Sequence, residues 1–210
     1  MSGKTTGKQF AQLEATLDMI RRSQEEIAPG PAMISWLRIL LVPLCIWCGL
    51  HGNLQGLFWL TLAAAASDYF DGWLARRMKV SSTPGKTLDM LADKFFLSVM
   101  LIFTSGLEGI HIDPVFLLIP AWYHITVALG LTLVSWSIGI PVVAITTSER
   151  LTIILSYILV ITAAGCVAYT DKSIFKSLIG VTAYATSIAA VLGTVSYFRF
   201  SRRLIQRYMK

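Results

Sequence analysis

The sequence predicts an all-α integral membrane protein, with six transmembrane helices preceded by an amphipathic surface helix. Three observations carry that expectation. The 210 residues are 55% hydrophobic and only 14% charged, with a mean hydropathy of +0.64, which is more apolar surface than a water-soluble domain of this size can hide. The apolar residues gather into six stretches of the length that a helix needs to cross the hydrocarbon core, roughly 33–51, 54–76, 87–107, 114–136, 151–169 and 175–198. The basic residues are distributed asymmetrically. Of 18 Lys and Arg, all but Lys172 and Lys176 lie before or at the start of the first span, around 76–94, at Arg150 or near the C-terminus. By the positive-inside rule both termini and the 76–94 connection face the cytoplasm, as in a multi-pass protein of a bacterial inner membrane. The net charge of +6 is then a topology signal that also favours anionic lipid headgroups, and nucleic acid is not an expected partner.

Taken in order, residues 1–8 carry no structural signal. From Gln9 to Ile27 the apolar Phe10, Leu13, Leu17 and Ile20 recur every three or four positions among charged residues, the pattern of a helix lying on a membrane surface or against the bundle. Pro29, Gly30 and Pro31 are expected to break the chain before the first span. The organisation predicted is an N-terminal tail and surface helix over 1–31, a six-helix membrane domain over 32–200 and a basic tail over 201–210.

The first span opens with Ile34, Ser35 and Arg38 before becoming wholly apolar. Arg38 either snorkels to the interface or holds a phosphate. Cys45, Cys48 and Cys166 lie in apolar spans with no second C-x-x-C pair and read as packing residues. The second span carries Thr61, Ala64 and Ala65 on the face that continues to Asp68, and small residues there let helices approach closely. Asp68, Asp71, Gly72 and Ala75 stand at offsets 0, 3, 4 and 7, one stripe at helical period. Asp89 and Asp93 are i and i+4 at the start of the third span, with Gly85 one turn earlier. A carboxylate facing lipid costs roughly 2.5 kcal/mol or more, so four of them at the ends of two apolar segments need a partner or a function. Two antiparallel helices joined by a short loop can aim all four at one point beside bare backbone, the geometry of a divalent-cation site with room for a ligand.

The connection between these helices is short and basic, and its Lys79 and Lys86 serve either topology or phosphate binding. Pro84 and Gly85 are expected to end it. In the fourth span, His124 is either a hydrogen-bonded packing residue or a ligand contact. Glu149 and Arg150 precede the fifth span, and Arg150 facing the same cytoplasmic cavity is a candidate phosphate clamp, because a guanidinium binds phosphate bidentately. Arg199, Arg202, Arg203 and Arg207 give the last span a cationic helical end suited to anionic lipid.

Written as a pattern, the stretch from Asp68 to Asp93 is D-x-x-D-G-x-x-A-R-x8-G-x3-D-x3-D. It resembles the signature of the CDP-alcohol phosphotransferases, integral membrane enzymes of phospholipid synthesis, and the six-span layout extends the resemblance over residues 31–200. The resemblance implies that Asp68, Asp71 and Asp89 bind metal, and that Asp93 both helps to hold a second metal and acts as general base. Two Mg²⁺ or Mn²⁺ ions are implied as cofactors. Gly72, Ala75 and Gly85 would give the CDP group close access, with Asp68 and Arg76 contacting the nucleotide. The implied donor is CDP-diacylglycerol, the released product CMP and the assembly a homodimer. The run LDMLADKFF, Ser35 to Arg38, Ser196 and Tyr197 are similar to the branch that makes phosphatidylglycerophosphate or to the related cardiolipin synthases. His124 and Ile125 stand where that branch usually has an Arg-Glu pair, and Pro31 and Ala32 where it has Pro-Asn. Glycerol 3-phosphate is the acceptor expected first, with phosphatidylglycerol, inositol phosphate and other alcohols open. Arg38, Lys79, His124 and Arg150 are the candidate acceptor and phosphate contacts. The alternative from another class is a cation- or proton-coupled transporter, against which stand the lack of an evident inverted repeat and a carboxylate cluster near the cytoplasmic surface rather than the midplane.

Overall fold

A short turn shows how the chain reverses direction. Gly52 adopts a φ of 72°, which a residue without Cβ takes freely. Asn53 then caps the next helix, its side-chain oxygen accepting from the Gly56 amide at 3.0 Å, which satisfies a donor that the first helical turn leaves over. Asp113 does the same for a later helix, accepting from the Val115 amide at 3.0 Å.

The computed structural model describes residues 29–78, 83–110, 112–138, 147–169 and 173–208; within these, side chains are described for 36–67, 89–110, 112–136, 148–169, 173–199 and 202. Among the described residues every regular element is a helix: α1 Pro29–Leu50, α2 Leu54–Met78, α3 Thr83–Ser105, α4 Val115–Ile138, α5 Thr147–Ala168 and α6 Ser173–Tyr208. The surface helix expected over 9–27 lies outside the described residues. Neighbouring helices close a ring in the order α1, α2, α5, α6, α4, α3 and back to α1, and α3 also touches α5 across the middle. That cross-contact places α3 beside the centre of the bundle.

Among the described residues, three helices carry segments long and apolar enough to cross a membrane, Val115–Trp136, Ser148–Ala168 and Ser173–Arg199. Shorter apolar segments run over Trp36–Leu50 in α1 and Leu54–Ser67 in α2. The remaining helix, α3, carries Asp89, Asp93 and Lys94 before its apolar second half. Along α1 the exposed Trp36, Leu37, Leu40, Leu44 and Trp47 face outward, while Arg38, Val42 and Cys45 are buried on the opposite stripe. Apolar outside and partly polar inside is the arrangement of a bundle whose solvent is lipid.

Two boundaries differ from the sequence expectation. Pro29–Pro31 does not break the chain before the first span but forms its first turn; Pro lacks an N–H that this turn does not use, and its φ already suits a helix. Pro84 and Gly85 likewise lie in the first turn of α3 rather than ending a loop. The basic segment after 200 continues α6, a helix of 36 residues and about 54 Å. Glycines allow the close contacts that hold the ring. A Cβ on Gly165 of α5 would come within 2.5 Å of the Phe175 ring of α6, and one on Gly193 of α6 within 2.8 Å of the Tyr123 ring of α4.

Candidate active site

Three helices bring charged and hydroxyl groups together beside the centre of the ring. Arg38 is fully buried, because the α1 stripe that places Val42 and Cys45 in the core passes through it one turn earlier. Snorkelling to the interface is therefore not what its side chain does. Its Nη1 donates to Asp89 Oδ1 at 3.1 Å and also to Asp93 Oδ1. The i, i+4 spacing on α3 thus aims two carboxylates at one cation. Tyr157 of α5 donates its hydroxyl to the same Asp93 oxygen at 3.1 Å, and its ring stacks on Phe96 of α3 with centroids 6.0 Å apart. Asp93 is buried, whereas Asp89 keeps 40% of its side chain exposed, so the pair runs from the protein interior toward water.

One residue further on, Lys94 is completely buried and its Nζ meets Glu149 Oε1 at 2.5 Å. This pair ties α3 to the first turn of α5. Sequence reading counts Lys94 among the cytoplasmic topology charges; the structure places it inside the bundle, where it cannot reach lipid headgroups. Arg150, the neighbour of Glu149, is exposed, so it is Glu149 rather than Arg150 that turns inward. His124 of α4 is buried, its Nε2 sharing a 2.9 Å hydrogen bond with Ser156 Oγ of α5. Its Nδ1 is buried and meets no hydrogen-bonding group among the described residues. Ser156 and Tyr157 are adjacent on α5, so this one helix supplies both the His124 partner and the Asp93 partner.

Asp68, Asp71, Gly72, Ala75 and Arg76 occupy the last turns of α2, whose backbone is helical throughout; their side chains, like that of Lys86, lie outside the described ones, as does Lys79 altogether. The buried Leu57, Thr61 and Ala64 form a stripe on α2 that the helical register continues through Asp68, Asp71 and Ala75. Gly85 belongs to the first turn of α3, one turn before Asp89. The structure therefore unites Arg38, Asp89 and Asp93, sets His124 in a separate hydrogen bond to α5 and leaves Arg150 on the outside. Sequence reading missed Tyr157 and Ser156, which in an apolar run look like packing residues. A buried pairing of Lys94 had one available signal, a lysine followed by a long uncharged run beginning Phe95-Phe96.

Among the described residues no group of three or more acidic, His or Cys side chains forms a metal cluster; Asp89 and Asp93 offer two carboxylates, one buried and one partly exposed, and Mg²⁺ prefers a few carboxylates combined with ligand oxygens.

Comparison with known proteins gives the same direction. The family model CDP-alcohol phosphatidyltransferase matches residues 30–195. Among curated relatives, a protein of Aquifex aeolicus named CDP-diacylglycerol–glycerol-3-phosphate 3-phosphatidyltransferase is 31% identical over 100 residues, covering 48% of this chain and 56% of that protein. A protein of the same name from Cereibacter sphaeroides is 35% identical over 85 residues, covering 39% and 38%. A cardiolipin synthase (CMP-forming) of Streptomyces coelicolor is 36% identical over 103 residues, covering 46% of each. The matched stretches thus span between 38% and 56% of these relatives' own length. Because the family match begins at the second residue of α1, runs through α5 and ends inside α6, the chain belongs to the CDP-alcohol phosphatidyltransferase family.

Proposed function

We propose that the protein transfers the phosphatidyl group of CDP-diacylglycerol to the hydroxyl of an alcohol, glycerol 3-phosphate first, forming phosphatidylglycerophosphate and releasing CMP. The observation that carries this reading is the convergence of Asp89 and Asp93 on one buried cation within the motif from Asp68 to Asp93. In the proposed reaction the acceptor oxygen bonds to the lipid-side phosphorus as the bridging P–O bond to CMP breaks, and Asp93 takes the hydroxyl proton. Asp68, Asp71, Asp89 and Asp93 would hold two Mg²⁺ or Mn²⁺ ions, which supply charge neutralisation at the pyrophosphate. Tyr157 fixes the Asp93 carboxylate by hydrogen-bonding its Oδ1. Gly72, Ala75 and Gly85 leave backbone bare for the nucleotide, with Asp68 and Arg76 contacting it.

On the acceptor side, the imidazole of His124 is supported by Ser156 and has a ring nitrogen with no partner among the described residues, and Lys79 supplies positive charge for an acceptor phosphate, whereas the exposed Arg150 does not turn toward this site. The site faces the cytoplasm in this reading, six helices cross the membrane, and two copies assemble as a homodimer. Phosphatidylglycerol is a second acceptor to weigh, because relatives named as cardiolipin synthases match stretches of similar length.

An acceptor panel tests the reading. Purified protein with CDP-diacylglycerol and Mg²⁺ is expected to release CMP with glycerol 3-phosphate and give phosphatidylglycerophosphate; product with phosphatidylglycerol alone would move the assignment to cardiolipin synthesis. Metal-dependent CMP formation also separates group transfer from ion-coupled transport, and its absence with every acceptor would reject the enzyme reading. In the same assay Tyr157→Phe is expected to lower kcat roughly fivefold to twentyfold, matching about 1–2 kcal/mol for one lost hydrogen bond to a carboxylate. An unchanged rate would remove Tyr157 from the site.

A further inference from the structure

Arg38 has the same partners as the proposed metal. Its guanidinium reaches Asp89 Oδ1 and Asp93 Oδ1 through the single atom Nη1, from a side chain with no solvent exposure. A buried carboxylate is costly without a nearby positive charge, and here α1 supplies that charge from a fixed helical stripe. We propose that Arg38 is a built-in counter-ion that competes with a divalent cation for Asp89 and Asp93 and so sets the metal affinity of the site. The inference rests on the reading that these carboxylates hold metal.

The physical argument concerns oxygen lone pairs and charge. A guanidinium hydrogen-bonded to Oδ1 of both residues uses the oxygens that point toward the shared position, and a cation entering there must share or displace it. Asp93 Oδ1 also receives the Tyr157 hydroxyl, so its remaining acceptor capacity is small. A nearby positive charge in a low-dielectric interior further repels an incoming ion. The chain thereby keeps its carboxylates compensated when no metal is bound, and the ion must be worth more than the guanidinium it displaces.

The experiment is Mn²⁺ binding, followed by electron paramagnetic resonance, to the full chain purified in lipid nanodiscs, without substrates. Arg38→Gln is expected to tighten Mn²⁺ binding roughly tenfold, and its thermal midpoint without metal is expected to fall and to recover with Mn²⁺ by more than that of the wild type. Arg38→Lys keeps the positive charge but places it on a shorter side chain as a compact ammonium, which reaches the two carboxylates less closely, so it is expected to tighten binding about threefold. It keeps the test open if Arg38→Gln does not fold. Unchanged or weaker Mn²⁺ binding in the variants that fold would overturn the proposal; a raised KM for glycerol 3-phosphate with unaltered Mn²⁺ binding would likewise overturn it, making Arg38 an acceptor contact. Failure of the underlying reading looks different: the wild type would bind no Mn²⁺, or Asp89→Asn would leave its binding unchanged.

Discussion

Asp93→Asn is expected to reduce CMP release from CDP-diacylglycerol by about 10²- to 10⁴-fold, the range ascribed to a positioned general base. The substitution is nearly isosteric, and the amide oxygen can still accept from Arg38 and Tyr157 in place of the carboxylate, so the fold should survive where Asp93→Ala would leave a gap beside a buried guanidinium. The loss belongs in kcat, because the acceptor proton is moved only in the transition state. Two measurements check the prediction: the steady-state rate of CMP formation in membranes supplied with Mg²⁺, and the amount of folded protein in those membranes. A variant that is inserted normally and keeps more than a tenth of the wild-type rate, a threshold below the general-base range, would take the base role away from Asp93.

The second large effect concerns stability. Lys94 and Glu149 are both buried and meet at 2.5 Å, and removing one partner breaks an ion pair inside the bundle. Lys94→Met is therefore expected to destabilise the protein by about 3–5 kcal/mol, and Glu149→Gln by less, because the amide can still accept from the ammonium group. The double variant Lys94→Met/Glu149→Leu is expected to recover much of the loss, since apolar side chains of similar volume often replace a buried pair without net cost. Thermal denaturation of the wild type, Lys94→Met, Glu149→Leu and the double variant in the same detergent gives the cycle, and the coupling shows as non-additivity of at least about 1 kcal/mol. Additive losses would mean that the two residues act separately. Activity of the double variant is a separate readout, because the pair sits one residue from Asp93 and joins α3 to the helix that carries Tyr157.

Much of the architecture was legible in the residues. Runs of about twenty apolar residues can satisfy their backbone in lipid only as helices, so the six stretches coincide with α1 to α6 to within a few residues at most ends. The exceptions have local causes. Pro29, Pro31, Pro84 and Gly85 read as breakers, yet a first helical turn needs no Pro N–H, so α1 and α3 start several residues earlier than expected. The aspartates of α3 were the strongest functional signal in the chain.

The sequence by itself determined the helical class, the family signature from Asp68 to Asp93 and the i, i+4 placement of Asp89 and Asp93, because periodicity and spacing are local properties of a helix. Only the tertiary structure decided what those carboxylates face. Arg38 comes from 51 residues before Asp89 and Tyr157 from 64 residues after Asp93, and Lys94 finds Glu149 across 55. Those partners depend on how α1, α3 and α5 are arranged around the ring, which no local pattern specifies. For the same reason a lysine and an arginine that look like topology charges in the chain become, inside the bundle, the counter-ions of its buried acids.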